Sequence, residues 1–284
     1  MELNGKVAVI TGGTRGIGLA IASAFARAGA AVVLASRSQS AVAAAVNRIQ
    51  SEGGRAAGMA LDVSQYSEVE ALQRLALEQF GRLDIWVNNA GTAGPYGPTL
   101  DLSTCDFTRV VQTNIIGVYH GSRVAMKHFV DQGSGKLINL LGHGYNGPVP
   151  WQNAYASSKA WVRSFTKALA EETKNSGVGV FAFNPGMVLT DLLTDVEVVD
   201  GSQQRLEKFP MVVRMLAKPA EVPAKKVVWL ASSATDGKTG LLVSLFSPWT
   251  MLAGALKEGL RALFKRPEPP MEMKIKVIPA DREG

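Results

Sequence analysis

The chain has 284 residues, of which 46% are hydrophobic and 19% are charged. This length suits a single α/β unit, and the composition excludes disorder over most of the chain. The formal net charge of +6 fits either an ordinary solvated surface or attraction to phosphates and anionic lipid.

The sequence also indicates a cellular compartment. Cys105 is the single cysteine, which excludes an intrachain disulfide and suits a reducing environment. The chain shows neither an apolar signal region nor a run of about 18 apolar residues. We therefore expect a cytoplasmic protein that is neither exported nor membrane-spanning.

Short apolar runs alternate with longer helical patterns along the chain. The predicted strands are Val7–Ile10, Ala31–Ala35, Ala56–Leu61, Ile85–Val87, Leu137–Leu141, Val178–Asn184 and Leu241–Leu245. The predicted helices are Ile17–Ala28, Ser40–Glu52, Ser67–Phe80, Phe107–Asp131, Ala154–Asn175 and Pro219–Ala231. Strand–helix alternation with apolar, β-branched strands predicts one doubly wound, Rossmann-type parallel sheet with helices on both faces.

Two segments depart from this rhythm and divide the chain. Residues 1–245 form the predicted α/β domain, and residues 246–284 a C-terminal tail with a helix. Within the domain, residues 191–218 are a polar insertion placed after the carboxyl end of a strand, the edge at which such sheets bind ligands. We expect this insertion to be a mobile substrate lid.

A glycine-rich turn joins the first strand to the first helix and reads Thr-Gly-Gly-Thr-Arg-Gly-Ile-Gly over Thr11–Gly18. Glycines let the backbone turn tightly and approach a pyrophosphate, whose charge is met by the helix N-terminus. The sequence therefore predicts a dinucleotide site. Its first contacts are Gly12, Thr14, Arg15, Gly16, Ile17 and Gly18.

Charge at the end of the second strand distinguishes the two nicotinamide cofactors. An NAD site usually places a carboxylate near the ribose hydroxyl, but no acidic residue lies between Glu2 and Glu52. Arg15 and Arg37 are placed to reach the adenosine ribose, and a guanidinium suits a phosphate. We therefore expect NADP(H) as the cofactor.

Tyr155 and Lys159 form a Tyr-x-x-x-Lys pair. A spacing of four residues puts both side chains on one helix face. A neighbouring ammonium favours the phenolate and is expected to lower the pKa of the tyrosine, tuning it for proton exchange. The pair is the predicted catalytic centre.

With these motifs, the chain resembles the short-chain dehydrogenase/reductase family from Lys6 to about Leu245. The resemblance implies that Asn114 holds a water in a proton relay and that Lys159 also bonds the nicotinamide ribose. It implies further cofactor contacts at Asp62, Val63, Asn89, Ala90, Gly91, Tyr155, Pro185, Gly186, Val188 and Thr190.

Gly142 departs from the family pattern, in which a serine at this place hydrogen-bonds the substrate oxygen. Three explanations remain open. Another donor replaces the serine, with His143 and Tyr145 nearest in sequence; the substrate polarises its own carbonyl or needs the space; or catalysis is lost. We expect Gly142, His143 and Met187 to contact the substrate.

A narrower resemblance is to the chlorophyll b reductases, a branch that reduces the 7-formyl group of a chlorophyll with NADPH. It rests on Gly142, on the segment Pro185–Leu193 and on the extended tail. The alternative is a reductase of another large apolar carbonyl compound. A rival from another class is a catalytically weak NADPH-binding protein, acting as a sensor or an assembly subunit.

The tail carries an apolar helical stripe at Leu252, Leu256, Leu260, Leu263 and Phe264, flanked by Lys257, Arg261 and Lys265. The stripe packs on the body or a subunit partner, or residues 251–265 lie in a membrane interface. The family resemblance implies a homodimer or homotetramer built on Phe107–Asp131 and Ala154–Asn175. We expect neither a metal nor a nucleic-acid partner.

Overall fold

The structure, a computed structural model, describes residues 2–246, 248–264 and 273–281. Its strands are β1 Val7–Thr11, β2 Ala31–Ser36, β3 Arg55–Ala60, β4 Ile85–Asn88, β5 Gly135–Leu140, β6 Val178–Asn184, β7 Asp195–Val199, β8 Leu242–Ser244 and β9 Lys274–Ile278. Seven of them form a parallel sheet in the order β3-β2-β1-β4-β5-β6-β8.

The helices cover both faces of this sheet. They are α1 Gly16–Arg27, α2 Gln39–Ser51, α3 Tyr66–Phe80, α4 Thr104–Val111, α5 Gly117–Gln132, α6 Asn153–Glu172, α7 Asp191–Thr194, α8 Phe209–Leu216, α9 Glu221–Ala231 and α10 Pro248–Leu263. Ala8 and Ile10 of β1 pack into the core with α1 and α9, whereas Val7 and Val9 face the core of α3 and α5. Burial on both faces explains the unbroken apolar strands, and the predicted doubly wound fold is confirmed.

The helix predicted at Phe107–Asp131 is longer in the structure than in the prediction, and a turn of different geometry interrupts it. It begins at Thr104, ends at Gln132 and contains one turn of wider π-helix over Gln112–Ile116. Turns of this kind are frequent at functional sites. The π turn contains Asn114, one of the predicted catalytic residues.

The insertion 191–218 contains regular structure that its polar sequence did not reveal. It holds α7, β7, a short 3₁₀ turn at Gln203–Leu206 and α8. Strand β7 pairs in parallel with β9, so that Asp195 faces Lys274 and Val199 faces Ile278. The insertion and the tail thereby form a second sheet, of two strands.

Helix α10 also packs on the insertion. Gly254 is buried against α8, where an added Cβ would lie 2.4 Å from the carbonyl oxygen of Met215. Glu258 accepts hydrogen bonds from Arg261 and lies 3.7 Å from Arg214. The tail is therefore anchored to the insertion.

The predicted apolar stripe of the tail does not take part in this packing where it is described. Exposed apolar side chains include Leu252, Leu256, Leu263 and Phe264, whose exposed fractions are 60, 63, 73 and 65%. Lys265 and the side chains of Lys257 and Leu260 lie outside the described residues. No helix in the described ranges has both the length and the apolar content needed to cross a membrane.

Candidate active site and cofactor cleft

A cleft opens at the carboxyl edge of the sheet, between the glycine turn after β1 and the start of the insertion. Predicted residues that line it are Gly12, Thr14, Arg15, Gly16, Ile17, Gly18, Arg37, Asp62, Val63, Asn89, Ala90, Gly91 and Thr190. The structure therefore brings most of the predicted cofactor residues together. Tyr155, Lys159, Pro185, Gly186 and Val188 are not among the lining residues of this cleft.

The glycine turn has the tight geometry that its sequence predicts. Gly12 and Gly16 have φ values of +64° and +54°, a backbone region that favours glycine. A Cβ on Gly18 would lie 2.1 Å from the carbonyl oxygen of Gly12, and one on Gly16 would lie 3.1 Å from Cγ2 of Thr190. The turn therefore lets a ligand approach the backbone at the N-terminus of α1.

Asn89 holds this turn in place. Its Nδ2 donates to the carbonyl oxygens of Thr11 and Gly12, at 2.9 and 3.0 Å. Thr11 Oγ1 in turn accepts from the backbone N–H groups of Asn89 and Ala90, both at 3.1 Å. These bonds join the ends of β1 and β4 and fix the shape of the turn.

The two arginines expected at the adenosine ribose differ in their partners. Arg15 Nη1 lies 3.2 Å from Asp191 Oδ2, and both side chains are exposed. Arg37 is exposed and forms no ion pair with the described carboxylates. The strand end beside it carries Ser36, and Ser38 caps α2 by accepting from the N–H of Ala41 at 3.2 Å.

Tyr155 and Lys159 lie one turn apart on α6. Lys159 is buried, its Nζ donates to the carbonyl oxygen of Leu140 at 3.2 Å, and it lies 5.6 Å from the centre of the Tyr155 ring. Burial lowers the pKa of Lys159 to about 8. Burial also raises the pKa of Tyr155 to about 12, so the expected lowering by the ammonium is wrong for this structure because desolvation of the phenolate is the larger effect.

Asn114 is completely buried beside this pair. Its Nδ2 donates to the carbonyl oxygen of Thr92 and to Ser158 Oγ, at 2.9 and 3.0 Å, and its Oδ1 accepts from Thr92 N–H at 2.9 Å. A Cβ on Gly91 would lie 3.4 Å from Asn114 Oδ1 and 3.7 Å from Lys159 Nζ. Asn114 and Lys159 therefore converge on Gly91, which links the cleft to the Tyr155–Lys159 pair.

Gly142 lies directly against the tyrosine. A Cβ on Gly142 would stand 2.1 Å from Tyr155 Oη and 3.0 Å from Cζ. The space that a serine side chain would need is occupied by the phenol itself. In this structure the glycine therefore makes room for the tyrosine.

Neither neighbour of Gly142 has a described contact with the Tyr155 hydroxyl. His143 is accessible to solvent at the surface, but neighbouring atoms shield part of its ring. This desolvation lowers the pKa of His143, which favours the neutral imidazole. Tyr145 places its ring 5.7 Å from the Arg163 guanidinium, and its N–H donates to the carbonyl oxygen of Gly142 at 3.3 Å.

The segment after β6 is braced by its neighbours. Lys218 donates its N–H to the carbonyl oxygen of Met187 and accepts from Leu189 N–H, both at 3.0 Å. Gly186 has a φ of +72°, and a Cβ there would lie 3.8 Å from Phe246 Cβ. Met187 is partly exposed.

The cleft includes residues that the sequence did not predict as contacts, namely Ala35, Ser36, Leu61, Thr92, Arg109, Thr113, Asp191 and Leu192. Asp191 and Leu192 directly follow the predicted Thr190 and were assigned to the lid. Arg109 and Thr113 lie on the helix around the π turn, and a helical pattern does not reveal which polar face borders a cleft.

Several known proteins are similar to this chain in sequence. A short chain dehydrogenase family profile matches residues 6–198. The 4-formylbenzenesulfonate dehydrogenase of Comamonas testosteroni is 35% identical over 86% of this chain and 98% of its own length. The probable chloroplastic chlorophyll(ide) b reductase of Oryza sativa subsp. japonica is 32% identical over 90% of this chain and 55% of its own length.

Solved structures of other proteins are similar to this chain in fold. A 3-ketoacyl-(acyl-carrier-protein) reductase from Brucella melitensis, in complex with NADH, has a TM-score of 0.76 at 31% identity, over 86% of this chain and 97% of that one. An actinorhodin polyketide ketoreductase with NADPH has a TM-score of 0.77 at 27% identity, over 84% and 95%. Fold and cleft thus define an oxidoreductase that binds a nicotinamide dinucleotide. The chain belongs to the short-chain dehydrogenase/reductase family, which confirms the predicted resemblance.

Members of this family use NADH or NADPH, act on small molecules and are typically oligomers. The two solved relatives contain different cofactors. The choice of NADP(H) for this chain therefore stays a prediction.

Proposed function

We propose that this protein is an NADPH-dependent reductase of an aldehyde or ketone on a large, apolar, planar molecule. The observation that carries the proposal is the pairing of half-buried Tyr155 with buried Lys159, next to Asn114 and to Gly91, which lines the cleft. This constellation combines a proton donor with a cofactor cradle.

Tyr155 is the proton donor of the proposed reaction. Its pKa of about 12 keeps the phenol protonated at neutral pH, which is the form that reduction requires. The phenol gives its proton to the substrate oxygen as the carbonyl carbon gains a hydride, and the alcohol is formed. When bound, NADPH supplies that hydride.

Lys159 supports this transfer through its charge. With a pKa of about 8, the ammonium predominates at pH 7 and stabilises the phenolate left on Tyr155. Asn114 positions the site, since its side chain fixes the backbone of Thr92 and the hydroxyl of Ser158. A water held at Asn114 would return the proton to Tyr155.

The residues present fit a dinucleotide. The tight turn of Gly12, Gly16 and Gly18 at the N-terminus of α1 suits a pyrophosphate, and a Cβ on Gly18 would disrupt this turn. Arg37, exposed and without a described carboxylate partner, suits the 2′-phosphate of NADPH. Asp62 and Val63 would hold the adenine, and the segment Pro185–Thr190 would face the nicotinamide.

The substrate side offers apolar surface. Leu189, Leu192, Met211 and Phe246 are exposed by 52, 48, 39 and 40%. Large exposed apolar side chains around a ligand edge suit a bulky apolar partner. The names of two relatives refer to formylbenzenesulfonate and to chlorophyll(ide) b, so we propose a formyl group on a planar ring, such as that of a chlorophyll, as the substrate.

Two wider proposals concern assembly. Helices α5 and α6 present a cluster in which the Trp161 and Phe165 rings stack at 4.7 Å and Tyr119 lies 6.3 Å from Phe165. We propose that these helices form a homodimer or homotetramer contact. The exposed side of α10 is proposed to touch a membrane surface peripherally.

NADPH oxidation by the purified protein tests the function, with chlorophyll b and the methyl ester of para-carboxybenzaldehyde as substrates. We expect turnover by the wild type and a loss of about 10²–10⁴-fold in Tyr155→Phe, with NADPH affinity retained. Tyr66→Phe is the matched control and should stay active, because Tyr66 lies on α3 and is not among the residues that line the cleft. NADPH binding without turnover of any aldehyde would instead favour the sensor or assembly subunit.

A further inference from the structure

Three loops meet above the catalytic helix, and each follows the carboxyl end of one of three neighbouring strands, β4, β5 and β6. Gly97 after β4 donates its N–H to the carbonyl oxygen of Trp151, at 2.9 Å, in the loop between β5 and α6. Tyr96 exchanges backbone hydrogen bonds with Glu197 and Val199 of β7, at 2.8 and 2.9 Å. Such sheets bind ligands at this edge, so the junction lies on the substrate side.

Trp151 has an unusual backbone at this junction. Its φ is +63°, and among the described residues it is the one non-glycine residue with a positive φ. A bulky aromatic residue adopts this region only when its surroundings enforce it, and such positions concentrate at ligand sites. The backbone at Trp151 is therefore held in place by its surroundings.

Arg205 of the insertion covers this indole. Its guanidinium carbon lies 4.1 Å from the centre of the Trp151 ring. Stacking on a ring occupies one face of the guanidinium and leaves its N–H edge available. The charge also reaches Tyr96, where burial raises the pKa of the phenol and Arg205 acts in the opposite direction.

The charge of Arg205 is not neutralised by the described chain. Arg15 pairs with Asp191, and Arg109 pairs with Asp106 and Glu197. Arg205 is exposed and, among the described carboxylates, has no ion-pair partner. A fixed guanidinium with free donors is suited to a planar anion.

We propose that Arg205, held on Trp151, binds a carboxylate or sulfonate carried by the planar carbonyl substrate. This inference rests on the proposed function and adds a specificity to it: the enzyme distinguishes an acid from its neutral ester. For a ring system that exists in both forms, the free acid is the preferred substrate.

The test compares para-carboxybenzaldehyde with its methyl ester, since the two share the ring and the formyl group and differ in charge. We expect the wild type to prefer the acid in kcat/KM by about tenfold or more, the range of a charged hydrogen bond. Arg205→Gln should abolish this preference while leaving the ester rate within about twofold, because the neutral ester makes no charged bond. Arg205→Lys should retain part of it.

Arg163→Gln is the matched control, because Arg163 also stacks on an aromatic ring, that of Tyr145, and should leave the preference unchanged. Equal losses on both substrates in Arg205→Gln would show that Arg205 braces the insertion, and would overturn the inference. An acid preference that persists in Arg205→Gln would overturn it as well.

A binding measurement separates this inference from the proposed function. Calorimetric titration uses the two corresponding alcohols, para-(hydroxymethyl)benzoate and its methyl ester, and needs no turnover. Selective binding of the acid that is lost in Arg205→Gln supports the subsite even if NADPH is not oxidised. Turnover of both aldehydes without selective binding keeps the function and overturns the subsite.

Discussion

The hydroxyl of Tyr155 lies where a side chain at position 142 would begin. A Cβ on Gly142 would stand 2.1 Å from Tyr155 Oη, well inside van der Waals contact. The glycine and the tyrosine are therefore complementary, and a larger residue at 142 requires the phenol to move.

Restoring a serine at this position is expected to harm the enzyme. Gly142→Ser and Gly142→Ala should both lower turnover by about 10²-fold or more, on large and small carbonyl substrates alike, because a displaced acid is out of line with the carbonyl. Gly147→Ser is the matched control, since nothing lies within 4 Å of a Cβ there. A uniform gain in turnover for Gly142→Ser would instead indicate a decayed enzyme with a missing donor.

Cofactor preference is expected to follow Arg37. The wild type should favour NADPH, and Arg37→Asp should shift kcat/KM towards NADH by placing a carboxylate beside the ribose. Arg74→Asp is the control, because Arg74 is exposed on α3 and is not among the residues that line the cleft. Equal or better use of NADH by the wild type would contradict this assignment.

The rate of reduction is expected to depend on the charge of Lys159. Since the pKa of Lys159 is about 8 and that of Tyr155 about 12, phenol and ammonium coexist at neutral pH. Above about pH 8 the ammonium is lost and kcat should fall with a single ionisation. Measuring NADPH affinity over the same range isolates the chemical step. A constant kcat up to about pH 10, near the ordinary pKa of a lysine, would contradict this dependence on the Lys159 ammonium.

The buried ammonium is also expected to cost stability. Its folded pKa, about 8, lies below the ordinary 10.5, so between these values the unfolded chain binds more protons and stability rises with pH. Lys159→Met should abolish activity and raise the free energy of unfolding at pH 7 by about 1–3 kcal/mol.

The stability gain of Lys159→Met should shrink as the pH approaches 10.5. Lys167→Met is the control, because Lys167 is exposed on the same helix, and it should change little. Thermal unfolding of both variants as a function of pH provides the comparison, and a destabilised Lys159→Met at pH 7 would refute the expectation.

Two glycines of α10 offer a test of how the tail supports the insertion. Gly254→Ala would place a Cβ 2.4 Å from the Met215 carbonyl oxygen, whereas nothing lies within 4 Å at Gly259. We expect Gly254→Ala to loosen α10 from α8 at a cost of about 1–3 kcal/mol. Gly259→Ala should stabilise the helix slightly. Limited proteolysis of residues 191–218 and the substrate KM report the loosening, and identical behaviour of the two variants would exclude it.

Much of the core and cleft follows from local sequence. The apolar runs that became the seven strands of the main sheet, and the glycines at 12, 16 and 18, are governed by burial and backbone freedom, which neighbouring residues reveal. Other relationships depend on distant contacts. The pairing of β7 with β9 joins segments that are far apart in the chain, and β7 is short and partly charged.

The role of Gly142 likewise became clear only from the structure. The sequence showed that a side chain was absent, but not that the Tyr155 phenol occupies its place. The same is true of Trp151 and Arg205, whose contact joins a loop to the insertion and leaves no periodic pattern. The direction of the Tyr155 pKa shift was predicted wrongly because burial, not the neighbouring charge, dominates it.

The β7–β9 pairing has a consequence for the order in which the protein is assembled. The cofactor turn and its Asn89 brace are complete once β4 has left the ribosome, whereas β7 waits for β9, at Lys274–Ile278. Chains are synthesised from the N-terminus at roughly 5–20 residues per second. A growing chain therefore carries the glycine turn and its Asn89 brace seconds before β9 becomes available, and the two-stranded sheet can be completed only after synthesis has passed Ile278.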